Sequence, residues 1–137
     1  MIFLIATVLI FRILKALGTA LIIDDDLDLC VMLKSVLDSS VSEVQYAHTL
    51  ETGKKLLKQL QPDIVFLDNN FPDGQGLDFI REIKSISQSS HLIFITAMDN
   101  SKGKALEYGA DAFLEKPLTY RAIFQALNQD VTIKLAS

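Results

Sequence analysis

The sequence predicts an α/β fold in which a parallel sheet is covered by helices on both faces. Five short runs, most of them continuously apolar, alternate with segments whose apolar residues recur at helical spacing. Strands that are apolar at nearly every position are typical of sheets buried on both sides. Strands that alternate with helices along the chain form parallel sheets with right-handed crossovers.

The five strand–helix units follow one another from residue 20. The predicted strands are Ala20–Asp24, Val44–Ala47, Asp63–Asp68, Leu92–Thr96 and Ala112–Glu115. The intervening helices are indicated in turn by Leu29, Leu33, Val36 and Leu37; by Leu50, Leu56, Leu57 and Leu60; by Leu77, Ile80, Ile83 and Lys84; by residues 100–108; and by Tyr120, Ile123, Phe124 and Leu127. Pro62 and Gly109 end the second and fourth helices, and either Asp26 or Asp28 caps the first.

The composition excludes several classes of protein. The 137 residues suit one domain, and half of them are hydrophobic, which excludes disordered and collagen-like chains. The net charge of −4 and the pI of about 5.0 disfavour a general nucleic-acid-binding protein. Cys30 is the only cysteine, so a disulfide framework and a cysteine zinc site are excluded.

The N-terminal segment differs from the rest of the chain. Fourteen of the first 17 residues are apolar. Arg12 and Lys15 give this segment a charge of +2, so residues 18–137 carry a net charge of −6 and the whole chain −4. The apolar run before Arg12 would form a helix only about 16 Å long, against a hydrocarbon core of about 30 Å. A signal peptide fits poorly because no basic residue precedes the run.

We therefore expect three segments. Residues 1–18 form a hydrophobic leader, helical over about 2–17, that is non-native or packs against a partner; we favour this over membrane attachment through residues 1–17. The folded domain spans residues 19–129, and residues 130–137 form a C-terminal tail.

Polar residues follow the predicted strands where functional sites of α/β proteins lie, at the carboxyl ends of the strands. Asp24 and Asp25 end the first strand, Asp68 the third and Thr96 the fourth, and Lys116 follows the fifth. Carboxylates that converge repel one another unless a cation joins them, and oxygen ligands suit Mg²⁺. We prefer this metal site to the alternative in which each aspartate is only a turn or capping residue.

The same residues suit phosphoryl chemistry. A carboxylate beside Mg²⁺ can attack phosphorus and form an aspartyl phosphate. The phosphoryl oxygens then need a hydroxyl donor and a cationic side chain, which Thr96 and Lys116 supply. Taken singly, Thr96 fits an ordinary strand residue and Lys116 a solvated charge, but their positions at consecutive strand ends favour the functional interpretation.

Four motifs, in this order, resemble those of the response-regulator receiver domain of two-component signalling. They are Leu21–Asp26, Asp63–Gly76, Ile95–Ala97 and Phe113–Pro117. The resemblance covers about residues 19–129. It implies a flavodoxin-like (βα)5 three-layer sandwich with a five-stranded parallel sheet of order 2-1-3-4-5.

The resemblance also implies a role for each matching residue. Asp68 corresponds to the phosphoacceptor. Asp25 corresponds to a direct ligand of Mg²⁺ or Mn²⁺ and Asp24 to a mainly water-mediated one, and the backbone carbonyl of Asn70 completes the shell with Asp68. Asn69 and Asn70 form a polar pair after the acceptor, and the Asn70 side chain is expected to tune dephosphorylation.

The remaining matches concern the switch. Thr96 corresponds to the hydroxyl that moves toward the phosphoryl group, and Ala97 to the small residue beside it. Phe113 corresponds to the aromatic residue whose rotamer follows that hydroxyl, with plain core packing as the alternative. Lys116 would pair with a phosphoryl oxygen, and the bond to Pro117 is expected to be cis.

The function implied is a signalling switch that assists its own phosphorylation and dephosphorylation and has no independent substrate. The expected phosphodonor is a histidine kinase or histidine phosphotransfer protein, and the output is a downstream protein or an effector domain. We expect a cytoplasmic location and no direct contact with nucleic acid. The sequence leaves the oligomeric state open; a homodimer would form through helix 4, strand 5 and helix 5, or through the N-terminal segment.

Two alternatives are weaker. In a haloacid-dehalogenase-type phosphohydrolase, Asp24 would be the nucleophile, but the segment Asp68–Gly76 has no role there and an acidic motif after the lysine is missing. A pseudo-receiver that only binds partners usually lacks the acidic pair, the acceptor or the lysine, and all of these are present.

Overall fold

The computed structural model describes residues 2, 4–6, 18–38, 41–97 and 100–127. From residue 19 onward, these residues form the predicted three-layer α/β sandwich. Five strands make one sheet: β1 (Thr19–Ile23), β2 (Glu43–Ala47), β3 (Ile64–Asp68), β4 (His91–Thr96) and β5 (Ala112–Glu115). All neighbouring strands are parallel, and their order is β2-β1-β3-β4-β5. The predicted flavodoxin-like order is confirmed.

Helices connect the strands and cover both faces of the sheet. They are α1 (Leu27–Leu37), α2 (Leu50–Leu60), α3 (Gly76–Ile86), α4 (Lys102–Tyr108) and α5, which is described over residues 120–127. A short antiparallel hairpin, in which Asn70–Phe71 pairs with Gly74–Gln75, lies between β3 and α3. It places irregular backbone directly after the end of the central strand.

The sheet has a separate hydrophobic core on each face. Successive residues of a strand point to opposite sides of the sheet, so Phe66 and Leu67 of β3 lie in different cores. Phe66 packs with α1 and α5, whereas Phe94, which is paired with Leu67, packs with α2, α3 and α4. Both rings are fully buried, and burial of each contributes about 2–3 kcal/mol. This double burial explains why the strand sequences are continuously apolar.

The helix ends follow from local chemistry. Asp26 caps α1, because its side chain accepts hydrogen bonds from the backbone of Asp28 and Leu29. Gln61 ends α2 in the left-handed region, with φ of 43°, immediately before Pro62, which disfavours continued helix. Of the two predicted caps for α1, the structure therefore selects Asp26.

Some boundaries differ from the prediction. β1 ends at Ile23 because the Asp24 carboxylate accepts a hydrogen bond from the Asp26 N–H and begins a turn. α4 begins at Lys102, two residues later than predicted.

The predicted leader helix lies mostly outside the described residues, as does the predicted tail of residues 130–137. Residues 2 and 4–6 are helical and exposed. Among the described residues, no helix combines the length and apolar character needed to cross a membrane.

Gly76 sets a testable constraint on the start of α3. A Cβ added there would lie 1.9 Å from the carbonyl oxygen of Asp68 and 3.0 Å from its carbonyl carbon. Because both atoms belong to the backbone, we expect Gly76→Ala to lower the free energy of unfolding by about 2–4 kcal/mol in urea denaturation.

Gly103 in α4 provides the matched control. No atom lies within 4 Å of a Cβ added there, so Gly103→Ala should raise stability by about 0.5–1 kcal/mol through helix propensity. Similar effects of the two substitutions would contradict the proposed close contact at Gly76.

Candidate functional site

Three aspartates meet at the carboxyl edge of the sheet. Ile23 of β1 is paired with Leu67 of β3. Asp24 and Asp68, which come next on each chain segment, are therefore neighbours. One carboxylate oxygen from each of these two residues and from Asp25 lies within 4.8 Å of the others. The structure thus brings together the acids that were predicted to converge.

The acidic pocket is largely removed from solvent. Asp24 is 0% exposed and Asp68 is 2% exposed, whereas Asp25 is exposed. The Oδ1 atom of Asp24 accepts a hydrogen bond of 2.8 Å from the Asp26 N–H, but its Oδ2 atom is buried and has no hydrogen-bond partner among the described residues. A buried oxygen without a donor is costly, and an open carboxylate oxygen beside two further carboxylates fits a divalent cation.

Burial also changes the protonation of this pocket. Burial raises the pKa of Asp24 to about 6; the hydrogen bond from Asp26 opposes this rise, and the negative charge of Asp68 adds to it. Partial burial disfavours the charged form of Lys116, but the hydrogen bond and charge of Asp68 outweigh it and raise the pKa of Lys116. The lysine is therefore held in its charged form by the pocket.

Lys116 neutralises part of the pocket. Its Nζ lies 2.9 Å from Oδ1 of Asp68, and its backbone N–H donates a 2.8 Å hydrogen bond to the carbonyl of Thr96. The Lys116–Pro117 peptide bond is cis, as expected. The ammonium group thus reaches the pocket from the end of β5.

Thr96 and Phe113 lie on the side of the pocket nearest α4. Thr96 is buried at the end of β4, and its Oγ1 accepts a 3.4 Å hydrogen bond from the hydroxyl of Ser101. Phe113 is partly exposed, packs toward the α2–α4 side of the sheet, and lies 5.2 Å from the ammonium of Lys102. Phe113 is therefore not a fully enclosed core residue, and Ala97, next to Thr96, is exposed.

The loop after Asp68 is tightly held. The Asn70 N–H donates a 3.3 Å hydrogen bond to Oδ2 of Asp68. The side chain of Asn69 is buried and accepts a 3.0 Å hydrogen bond from the Leu77 N–H. The Asn70 backbone thus lies beside the predicted acceptor, where its carbonyl was predicted to complete the metal shell.

Several residues near the pocket were not predicted from the sequence. Cys30 and His48 both contact the backbone carbonyl of Asp24, with Sγ at 3.6 Å and Nδ1 at 3.0 Å. Burial raises the pKa of the Cys30 thiol to about 12, and the charge of Asp24 adds to this.

Asp73, in the loop after β3, accepts hydrogen bonds from the N–H groups of Leu50 and Glu51 at the start of α2.

These contacts join residues that are far apart in the sequence, so no short sequence motif predicts them. Asp73, for example, is 23 residues from the helix end that it caps. Its hydrogen bonds from Leu50 and Glu51 lower the pKa of the Asp73 carboxyl. The one available signal was its position in the turn-rich segment after β3.

The family follows from comparison with known proteins. The family model of the response regulator receiver domain matches residues 20–128. The chain belongs to this family. Receiver domains accept a phosphoryl group on an aspartate, bind a divalent metal at an acidic pocket and act as signalling switches. They work with histidine kinases or phosphotransfer proteins and with effector domains.

Individual relatives agree with this assignment. The receiver domain is 32% identical over 119 residues to the transcriptional regulatory protein CitB of Klebsiella pneumoniae, covering 81% of this chain and 49% of CitB. It is 32% identical over 114 residues to the chemotaxis protein CheY of Thermotoga maritima, covering 80% of this chain and 93% of CheY. The chain spans about half the length or less of the first curated relatives that it matches.

Solved structures give the same result. The beryllofluoride-activated NtrC4 receiver domain dimer is 30% identical, with a TM-score of 0.76 over 83% of this chain and 96% of that chain. A CheY-like receiver domain protein of Methanospirillum hungatei is 22% identical, with a TM-score of 0.80 over 88% of this chain and 98% of that chain, and supports the fold.

The alternative of a haloacid-dehalogenase-type phosphohydrolase is not supported. Its nucleophile would be Asp24, but the ammonium of Lys116 is paired with Asp68 instead. The family match covers the segment after Asp68 that had no role in that enzyme class.

The buried charge of Asp24 gives a prediction about stability. Because its folded-state pKa of about 6 exceeds the ordinary value of 3.8, ionising Asp24 destabilises the fold as the pH rises through this range. Asp24→Asn keeps an acceptor for the Asp26 N–H and removes the charge. In EDTA we expect the variant to be more stable by about 1–2 kcal/mol at pH 7.5, after allowance for solvent screening, and equal to the wild type below about pH 4.

Urea denaturation at both pH values measures this difference. Asp25→Asn is the control, because Asp25 is exposed and its replacement should change stability by less than about 0.5 kcal/mol. An Asp24→Asn variant that is no more stable than the wild type at pH 7.5 would contradict the burial argument.

Proposed function

We propose that Asp68 is the phosphoacceptor of this receiver domain and that Asp24, Asp25, Asp68 and the backbone carbonyl of Asn70 hold Mg²⁺, with Mn²⁺ as a substitute. The observation that carries the proposal is the buried carboxylate of Asp68, which lies between the ammonium of Lys116 and two further carboxylates. Oxygen ligands of this kind suit Mg²⁺, which keeps several of its own waters.

The reaction joins a carboxylate oxygen of Asp68 to phosphorus and breaks the phosphorus–nitrogen bond of a phosphohistidine on the donor protein. The donor imidazole leaves with the bonding electron pair and takes up a proton. A divalent cation held by these residues would neutralise part of the phosphoryl charge. Lys116 pairs with one phosphoryl oxygen, and the hydroxyl of Thr96 donates a hydrogen bond to another.

The phosphodonor is proposed to be a histidine kinase or a histidine phosphotransfer protein. Leu27 and Val31 lie one turn apart at the start of α1, close in sequence to Asp25, and are 62% and 64% exposed. Exposed apolar residues beside a reactive carboxylate suit a protein donor, which must bring its phosphohistidine to the pocket.

The output surface is proposed to be the face formed by α4, β5 and α5. Thr96 is linked to the start of α4 through Ser101, so a movement of its hydroxyl toward a phosphoryl group reaches this face. Phe113 of β5 would change rotamer in response. Leu106, Tyr120 and Phe124 are exposed large hydrophobic residues on α4 and α5, available to a downstream protein, an effector domain or a second copy of the domain.

The proposal extends to the whole chain. Residues 19–129 form the receiver domain, residues 1–18 a leader and residues 130–137 a tail. The domain acts in the cytoplasm through protein contacts and does not itself bind nucleic acid. The net charge of −4 supports the absence of a nucleic-acid surface.

Incubation with acetyl phosphate and Mg²⁺, followed by intact mass measurement, tests the acceptor. We expect an adduct of about 80 Da, one phosphoryl group, that requires Mg²⁺ and is absent in Asp68→Asn. Asp73→Asn is the control, since this exposed aspartate lies in the same loop but caps α2, and the adduct should persist. An adduct at wild-type yield in Asp68→Asn would assign the acceptor elsewhere.

A further inference from the structure

Asn69 joins the end of β3 to the start of α3 through two hydrogen bonds. Its side-chain Oδ1 accepts from the Leu77 N–H at 3.0 Å, and its backbone carbonyl accepts from the Gly76 N–H at 2.8 Å. These are the first two N–H groups of α3, which have no partner within the helix. Gln75, at the N-cap position, makes no side-chain capping bond. Asn69 therefore caps α3 from outside the helix.

The two hydrogen bonds close the loop that carries Asn70. Within this loop Asn70 is paired with Gln75, and the Asn70 N–H bonds to Oδ2 of Asp68. The start of α3 lies close to the end of β3, because any side chain at Gly76 would collide with the carbonyl of Asp68. The Asn70 peptide is thus held beside the acidic pocket by its bond to Asp68, by its pairing with Gln75 and by the two hydrogen bonds between Asn69 and α3.

We infer that Asn69 is a positioning residue of the cation site. It contributes no ligand, since its Oδ1 is occupied by the Leu77 N–H. It holds the Asn70 peptide beside Asp68, so that the Asn70 carbonyl is in place before a cation arrives. This inference rests on the proposed function, in which that carbonyl is a ligand of Mg²⁺.

The residue type suits this role. Asn69 is 8% exposed, so an apolar replacement would leave the Leu77 N–H without its acceptor in a mostly buried setting. Aspartate would supply the same acceptor, but it would add a negative charge next to Asp68 and its acidic neighbours. Asparagine provides the acceptor without that charge.

Direct Mg²⁺ binding tests the inference. Isothermal titration calorimetry with Mg²⁺ should show roughly tenfold weaker binding in Asn69→Leu, the effect typical of a lost supporting residue at a metal site. Asn69→Asp keeps the acceptor and should bind Mg²⁺ at least as tightly as the wild type. With acetyl phosphate, the half-saturating Mg²⁺ concentration of Asn69→Leu should rise by the same factor, while the rate at saturating Mg²⁺ stays within about twofold.

Gln61→Leu is the matched control, because the Gln61 side-chain amide bonds to the carbonyl of Ile86 at the other end of α3. It makes the same amide-to-leucine change far from the pocket, and Mg²⁺ affinity should be unchanged. Urea denaturation of each variant separates a loss of stability from a loss of positioning. If Asn69→Leu does not fold, Asn69→Ala removes the same acceptor with less bulk.

The inference is overturned if a folded Asn69→Leu or Asn69→Ala variant binds Mg²⁺ as tightly as the wild type. It is also overturned if Gln61→Leu weakens binding equally, or if Asn69→Asp weakens it tenfold. These outcomes leave the phosphoacceptor assignment intact. A wild type that binds Mg²⁺ but forms no adduct on Asp68 would instead remove the proposed function and leave the Asn69 effect on Mg²⁺ measurable.

Discussion

Two carboxylates, Asp24 and Asp68, are buried side by side at the ends of adjacent strands, and the surrounding contacts offset the charge that this places inside the domain. Lys116 lies 2.9 Å from Asp68, and the Asp26 N–H bonds to Asp24. The compensation is incomplete, because the pKa of Asp24 remains raised to about 6 and its Oδ2 atom has no partner among the described residues. The remaining repulsion favours binding of a cation.

The two sides of the pocket are held differently. On the β3 side, Gly76 and Asn69 fix the start of α3 against the backbone of Asp68. On the β4 side, Ser101 lies at the N-cap position of α4 and makes no side-chain capping bond, and its hydroxyl donates a hydrogen bond to Thr96. The contacts on the β3 side suit the proposed cation site, and the hydroxyl contact between Ser101 and Thr96 suits a switch. This division would connect the proposed phosphorylation of Asp68 with the exposed face of α4, β5 and α5.

The features that were predicted from the sequence are those that depend on residues adjacent along the chain. Apolar runs that end in acid located β1 and β3, and parallel pairing then brought Asp24 and Asp68 together. The strand order came from the family resemblance. The Asn69 cap and the Ser101–Thr96 hydrogen bond were not predicted, because they depend on the angle at which a helix leaves the sheet. Residues 7–17 and the predicted tail lie outside the described residues.

The pH dependence of Mg²⁺ affinity tests the central claim most directly. If the cation binds where buried carboxylates repel one another, a proton on Asp24 must compete with it. Calorimetry between pH 5 and 8 should then show constant affinity above about pH 7, and affinity that falls by up to tenfold per pH unit below about pH 6, where Asp24 becomes protonated. An affinity that does not change across this range would contradict the account.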